Sequence, residues 1–174
     1  MTQPDRTLCR PDDFRSAMQK LAGGVCIVTT RHRGHRLGLT ATAVCSLCAE
    51  PPALIACVNR GAEAHDAIRA SQRICINVLA QHHVELSNVF SSGDRLKGEA
   101  RFDHGQWTTG DSGAPILEDA LADFDCRVSR AIEHGSHSIF ICEVLSARCN
   151  ADGDPLIYGN RSYGSLSALY QTAK

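Results

Sequence analysis

Aromatic residues make up only 5% of the 174-residue chain, too few for the stacking platforms that hold single-stranded nucleic acid. A basic excess is missing as well. Eighteen Lys and Arg against 19 Asp and Glu leave a net charge of −1, which offers no electrostatic grip on a nucleic-acid backbone or an anionic membrane. No apolar run approaches the ~20 residues of a membrane-spanning helix. The longest uncharged, apolar-leaning stretch, residues 37–49, ends at Glu50-Pro51-Pro52. The polar residues 1–13 lack the apolar centre of a secretion signal. These absences predict a soluble, cytoplasmic protein with neither nucleic acid nor membrane as a partner. The nucleotide fingerprints GxGxxG and GxxxxGK(S/T) do not occur. Neither do HExxH and GxSxG, so metal-dependent and nucleophilic hydrolases lose their usual evidence.

With 43% hydrophobic and 21% charged residues, the chain has ordinary globular composition, and its length fits one domain with a real core. Nine cysteines are many for a cytoplasmic protein, and an odd number cannot all pair. Most sit inside apolar segments such as Val25-Cys26-Ile27, where a thiol acts as a small hydrophobe. Cys45-Ser46-Leu47-Cys48 forms a CxxC without a second pair, and His82-His83 are adjacent instead of spaced by three to five, so a structural zinc site lacks its ligand set. The prolines that follow oppose the helix a redox CxxC requires. A strand is the better assignment, with no metal.

Asp12 or Asp13 can cap a first helix, with Phe14, Met18 and Leu21 on one face and Gly23-Gly24 as its stop. Strands are predicted over 24–30, 37–48 and 53–58. A helix over 62–70, a strand over 74–79 and a helix over 81–90 follow. Residues 91–118, rich in glycine, read as an irregular loop, and loops of that length usually have a task. Two long strands, 121–131 and 138–148, and a short one near 156–158 close the chain. The order is not an alternating βαβ series, so a mainly β, antiparallel barrel with a few peripheral helices is predicted.

Three segments could carry chemistry. Leu39-Thr40-Ala41-Thr42-Ala43 combines small side chains with hydroxyls, which lets a flat ring approach the backbone; an ordinary threonine-rich strand would look the same. Asn59-Arg60-Gly61 stands before a helix, where free N–H groups and an arginine suit a phosphate; a plain strand-to-helix turn is the alternative. Gly135-Ser136-His137 opens a long strand and is either a hairpin turn with a solvated histidine or a catalytic position.

Taken in order, GGVCIVTT (23–30), GLTATAVCSLCAEPPALIACVNR (38–60), ICINVLA (74–80), KGEARFDHGQW (97–107), GAPILEDALADFDCRV (113–128), GSHSIFICEVL (135–145) and PLIYGNRSYGSL (155–166) resemble the flavin reductase family. The resemblance covers about residues 14–166 of a single domain, 1–174. It implies a homodimer of Greek-key split β-barrels, the FMN-binding split-barrel fold. It also implies an NAD(P)H-dependent flavin reductase that uses NADH or NADPH to reduce FMN or FAD, and a separate flavin-dependent monooxygenase as recipient. Carried over by position, Thr40, Ala41, Thr42, Ala43 and Ser46 would contact the flavin ring and its side chain, and Cys57, Val58, Asn59 and Arg60 the ribityl-phosphate. Ser91, Lys97 and Arg101 would close over the phosphate. Gly135, His137, Arg161 and Tyr163 would face the NAD(P)H, with His137 in the catalytic position. Cys48 and Gly61 stand where the family often has serine, and Gly159-Asn160 replaces a more basic stretch. Two other readings stay open: an FMN-bound reductase acting directly on another acceptor such as a corrinoid, and a non-catalytic flavin-binding module.

Overall fold

The computed structural model describes residues 8–91, 96–150 and 152–166. Its elements run α1 (Pro11–Met18), β1 (Gly23–Gly24), β2 (Cys26–His32), β3 (His35–Ala41), β4 (Val44–Ala49), β5 (Pro52–Asn59), α2 (Glu63–Ser71), β6 (Arg73–Val78), α3 (Val84–Ser91), β7 (Trp107–Thr109), β8 (Pro115–Leu117), β9 (Ala122–His134), β10 (His137–Cys149), β11 (Ile157–Gly159) and β12 (Ser162–Gly164). One-turn 3-10 helices lie at Gln81–His83 and, longer, at Gly98–Asp103.

Seven strands form one antiparallel sheet in the order β3-β2-β6-β9-β10-β5-β4. Its two edge strands, β3 and β4, are consecutive in the chain, joined by Thr42 and Ala43 alone. The sheet therefore rolls until its edges meet at that corner, while no ladder joins β3 to β4. The result is a barrel with a seam, and the sequence's single strand over 37–48 is in fact these two edges. The amide of Cys57 donates to the Ala43 carbonyl at 2.9 Å, one step beyond the last paired residues, Val44 and Ala56.

The barrel fills from the inward positions of each strand. Val28, Leu54, Ala56, Val58, Ile74, Ile76, Val128, Phe140 and Cys142 form one buried cluster, which Ala64 and Ile68 of α2 join. Helix α2 is amphipathic, with Ala64, His65, Ala67 and Ile68 buried, so it plugs one end of the barrel. A second cluster packs α3 against the flanking segments through Leu86, Phe90, Phe102 and Leu117. The stretch expected to be irregular, 91–118, instead holds a 3-10 helix and the β7–β8 hairpin. Two buried carboxylates pin its surroundings: Asp125 accepts from the Ser112 amide at 2.7 Å, and Asp123 from Arg148 at 3.0 Å.

All nine cysteines are free thiols. Burial pushes Cys26 and Cys142 up to about 12, which leaves them as inert hydrophobes. Cys45 and Cys48 lie on β4 as expected, with a bulge between Ser46 and Cys48.

His82, His83 and Asp119 place three donor atoms within 4.8 Å of one another. The Ala80 amide donates to His83 Nδ1 at 3.0 Å, so in the neutral ring the proton sits on Nε2, which faces Asp119 Oδ2 at 3.1 Å. A metal at Nε2 would have to displace that proton, and Nε2 is buried within ion-pair distance of Asp119 without a well-formed hydrogen bond to it. Burial, with the neighbouring His82, depresses the His83 pKa despite the opposing Asp119. The folded chain thus resists a proton that the unfolded chain accepts near pH 6.5. Stability should be full above that pH and fall as pH drops through it. Melting temperature should fall further between about pH 7.5 and 5.5 in the wild type than in His83→Gln. Parallel slopes would remove His83 from the acid response.

Candidate active site

The Ala43–Cys57 bond sets the segments 39–43 and 57–61 side by side along the seam. Strand alternation divides their side chains between two faces. Val58 turns inward and is fully buried in the core. Its side chain is therefore not a ligand contact, and the expectation for Val58 is corrected to its backbone. Cys57 and Asn59 face outward, and Cys57 is half-buried, with its thiol raised by burial and by Cys45.

A cavity of about 520 Å³ opens beside the seam, lined by Leu39, Thr40, Gly61, Ala62, Glu63, Phe90, Ser91, Lys97 and Arg101. The first turn of α2 opens onto it, and the Ala62 N-cap contributes no side-chain cap hydrogen bond, so the helix offers first-turn donors to an anion. Glu63 turns its carboxylate to the Gly98 amide at 3.0 Å. Arg101 is buried and reaches the cavity with its guanidinium fixed by the carbonyls of Leu96 and Gly38, both at 2.8 Å. Arg36 braces the same 3-10 helix onto β3: its amide donates to Glu99 at 2.8 Å, and its guanidinium lies 4.9 Å from the Phe102 ring centroid. Partial burial would raise the Glu99 carboxyl, but the hydrogen bonds and charge of Arg36 hold it below its usual range.

A second cavity of about 450 Å³ shares Thr40 and Ser91 with the first and adds Val25, Ala41, Thr42, Asn88, Tyr158, Arg161 and Tyr163. Thr40 donates to the Ser87 carbonyl at 2.7 Å, Ser87 Oγ lies 2.9 Å from the Tyr163 hydroxyl, and Tyr163 donates to Asn88 at 3.1 Å. Tyr158 and Tyr163 meet edge-on at 5.2 Å.

The structure thus brings together Thr40, Ala41, Thr42, Ser91, Lys97, Arg101, Arg161 and Tyr163. The other expected residues, Ala43, Ser46, Cys57, Val58, Asn59, Arg60, Gly135 and His137, line neither cavity. Arg60 points away from the 520 Å³ cavity, 3.4 Å from Glu133 and 3.5 Å from the Gly135 carbonyl, because the opposite charge on the β9–β10 hairpin draws it outward. Ser46 lines a separate, mainly apolar cavity at the other end of the barrel with Cys26, Val44, Leu54, Phe124 and Val144. His137 is exposed on the outer sheet face, paired with Asn59 of β5, and lines neither cavity. It stands in line with Asn59 and beside the Cys57–Ile139 pair, one strand spacing, about 4.8 Å, from β5. Gly135 lies in the turn before it with a left-handed φ of 55°. Residues 92–95 of the loop expected over the phosphate lie outside the described residues.

Ser87 and Asn88 were absent from the sequence-level site. Their signal was present: with Ser91 they make a polar stripe on a helix whose Leu86 and Phe90 serve the core.

The model of the flavin reductase like domain matches residues 18–167. The chain belongs to the flavin reductase family. The FMN reductase (NADH) RutF of Agrobacterium fabrum is 46% identical over 154 residues, 88% of this chain and 87% of that protein. BorF, the flavin reductase component of a bacterial two-component tryptophan halogenase, superposes with a TM-score of 0.83 at 27% identity, covering 90% of this chain and 98% of the other. Nitrilotriacetate monooxygenase component B from Mycobacterium thermoresistibile gives 0.83 at 26% identity, covering 91% and 87%. The split barrel is the fold of these flavin reductases. The seam with its two cavities is the feature of this family member that suits a flavin.

Proposed function

We propose that this flavin reductase oxidises NADH and reduces FMN, which it hands to a separate monooxygenase. The carrying observation is the pair of adjoining cavities at the seam. The first offers Lys97, Arg101, the Thr40 and Ser91 hydroxyls and a helix N-terminus, a donor set suited to a terminal phosphate. The second offers small and aromatic walls, Ala41, Thr42, Tyr158 and Tyr163, suited to a planar ring.

The flavin supplies the hydride acceptor when bound. The chain's part is to hold, orient and shield. Lys97 and Arg101 fix the phosphate end. The Thr40–Ser87–Tyr163 chain of hydrogen bonds keeps the wall of the second cavity rigid. His137, on the outer face beside Asn59, orients the nicotinamide donor and moves no proton. Arg161 lines the second cavity and meets the donor's anionic part. Cys57 and Asn59 contribute the outward edge of β5.

NADH and FMN are favoured over NADPH and FAD by the name of the Agrobacterium relative. The monooxygenase as recipient is favoured by the two-component systems to which the structural neighbours belong. A homodimer is favoured by the apolar groups left uncovered: Ile132 on the outer sheet face, with Phe14, Met18 and Leu21 around α1. Ile55, Cys57, Ile139 and Ile141 extend that face as half-buried positions. Nine free thiols suit a reducing cytoplasm. Among the described residues, no helix is long and apolar enough to cross a membrane.

Steady-state oxidation of NADH and of NADPH, each with FMN, FAD and riboflavin in turn, tests the reading, with sedimentation reporting whether the species is twice 18.8 kDa. Turnover should be fastest with NADH and FMN. No oxidation of either nucleotide with any flavin would leave a flavin-binding module, and rapid transfer to a corrinoid, without added flavin, by a protein that retains its FMN would leave the direct reductase.

A further inference from the structure

Outside the two cavities, one buried polar cluster has no part in the reading above. His65 of α2 is 2% exposed, and its Nε2 lies 2.8 Å from Oγ of Ser138, itself 1% exposed. Its Nδ1 lies 2.8 Å from a carboxylate oxygen of Asp66, whose side chain is 92% exposed. The carboxylate can only accept, so the ring proton sits on Nδ1, and Ser138 donates its hydroxyl proton to Nε2.

The order Ser–His–Asp is that of a hydrolase triad, but the exposures are inverted. A nucleophilic serine must face substrate, and its aspartate is buried. Here the serine is sealed inside the barrel end and the aspartate is in water. The cluster therefore does not attack a substrate; it ties two segments together. Ser138 directly follows His137 and pairs with Val58 of β5 and Glu133 of β9. His65 sits one turn into the helix whose start, Gly61 to Glu63, lines the larger cavity. A further bond reinforces the same junction: the Arg60 amide donates to the Ser136 carbonyl at 2.8 Å. His65 also rests against Phe140, with ring centroids 5.6 Å apart, so its ring is held in one orientation.

We infer that His65 is a positioning residue of the reductase site: through Ser138 it fixes the Gly135–His137 turn relative to the start of α2, and so sets the distance between the donor side and the phosphate side. The inference rests on the assignment of His137 to the nicotinamide donor.

The test is a double-mutant cycle on full-length protein, using His65→Leu, His137→Ala and the pair, with NADH as donor and FMN as acceptor. His65→Leu should lower kcat/KM for NADH by about tenfold, mostly in kcat, with the FMN dissociation constant within about threefold. In the pair, the loss should be close to that of His137→Ala alone, because a misplaced turn costs nothing once its histidine is gone. His65→Gln, whose amide can still bond Ser138, should restore at least half of the wild-type rate. Additive losses, or a His65→Gln variant as slow as His65→Leu, would overturn the inference. Failure of the underlying assignment reads differently: His137→Ala would then match the wild type. If His65→Leu does not fold, Ser138→Ala takes its place in the cycle, as it removes the same bond with little change in volume.

Discussion

Replacing His137 with alanine should lower kcat/KM for NADH by about one to two orders of magnitude, equivalent to roughly 1.4–2.8 kcal/mol of transition-state stabilisation. The FMN dissociation constant should stay within about threefold, or roughly 0.7 kcal/mol. The family resemblance puts the Gly135–His137 turn on the nicotinamide side, and the structure leaves the side chain free to take that role. His137 is exposed, lines neither seam cavity, and stands on the outer face in line with Asn59. Its contact in the free protein is local, Nδ1 to the Ser136 hydroxyl at 2.9 Å. Removing it therefore disturbs no core packing, and melting temperature should be unchanged. Rapid-mixing measurement of flavin bleaching, with a flavin titration beside it, separates a donor-side role from a structural one. Unchanged bleaching would return His137 to the status of a solvated hairpin residue.

Lys97→Ala should weaken FMN binding by roughly ten- to a hundredfold, since a charge-assisted hydrogen bond to phosphate is worth about 1.5–3 kcal/mol. Riboflavin, which lacks the phosphate, should bind the variant about as well as the wild type. Arg60→Ala is the informative partner experiment. The sequence places Arg60 at the phosphate, but its guanidinium instead approaches Glu133 and Gly135 on the β9–β10 hairpin. FMN affinity should accordingly change by less than about threefold in Arg60→Ala. Isothermal titration of both variants with both flavins decides the matter. A large FMN-specific loss in Arg60→Ala together with none in Lys97→Ala would reverse the assignment. Lys97 is the better probe than Arg101, because the buried Arg101 also holds the carbonyls of Gly38 and Leu96, and its removal would damage the fold.

Much of the fold was legible from periodicity. The alternation of Ile74, Ile76 and Val78 and the β-branched run before Thr30 located β6 and β2 to within a few residues, whereas α1 ends at Met18, short of the expected Gly23-Gly24 stop, and those glycines form β1. The seam was not legible, because a corner of two residues between two strands leaves no composition signal; Thr42 and Ala43 suit a strand as well as a bend. The same holds for the β7–β8 hairpin, whose strands are only three residues each and form because Leu117 and Trp107 pack on the second core. At the site, small residues and hydroxyls single out Thr40 to Thr42, which line the second cavity. Arg60 and Ser46 could not be placed by residue type, since the surroundings of each are distant in sequence: Glu133 for the one, Phe124 and Val144 of the apolar cavity for the other. Val58 is the simplest lesson. A segment that carries a site on a strand contributes only every second side chain, and the intervening ones belong to the core.

The β3–β4 corner carries a mechanical implication. A closed barrel is stiff because every strand is bonded on both sides, whereas this one has two bare edges that meet only at a hinge of two residues. Any molecule seated along Thr40 to Ala43 and Cys57 to Gly61 spans from edge strand β3 across the corner to the end of β5, and adds contacts where the backbone ladder is open. Ligand and barrel are then parts of one closure, so the protein's resistance to breathing at its edges rises and falls with its cargo.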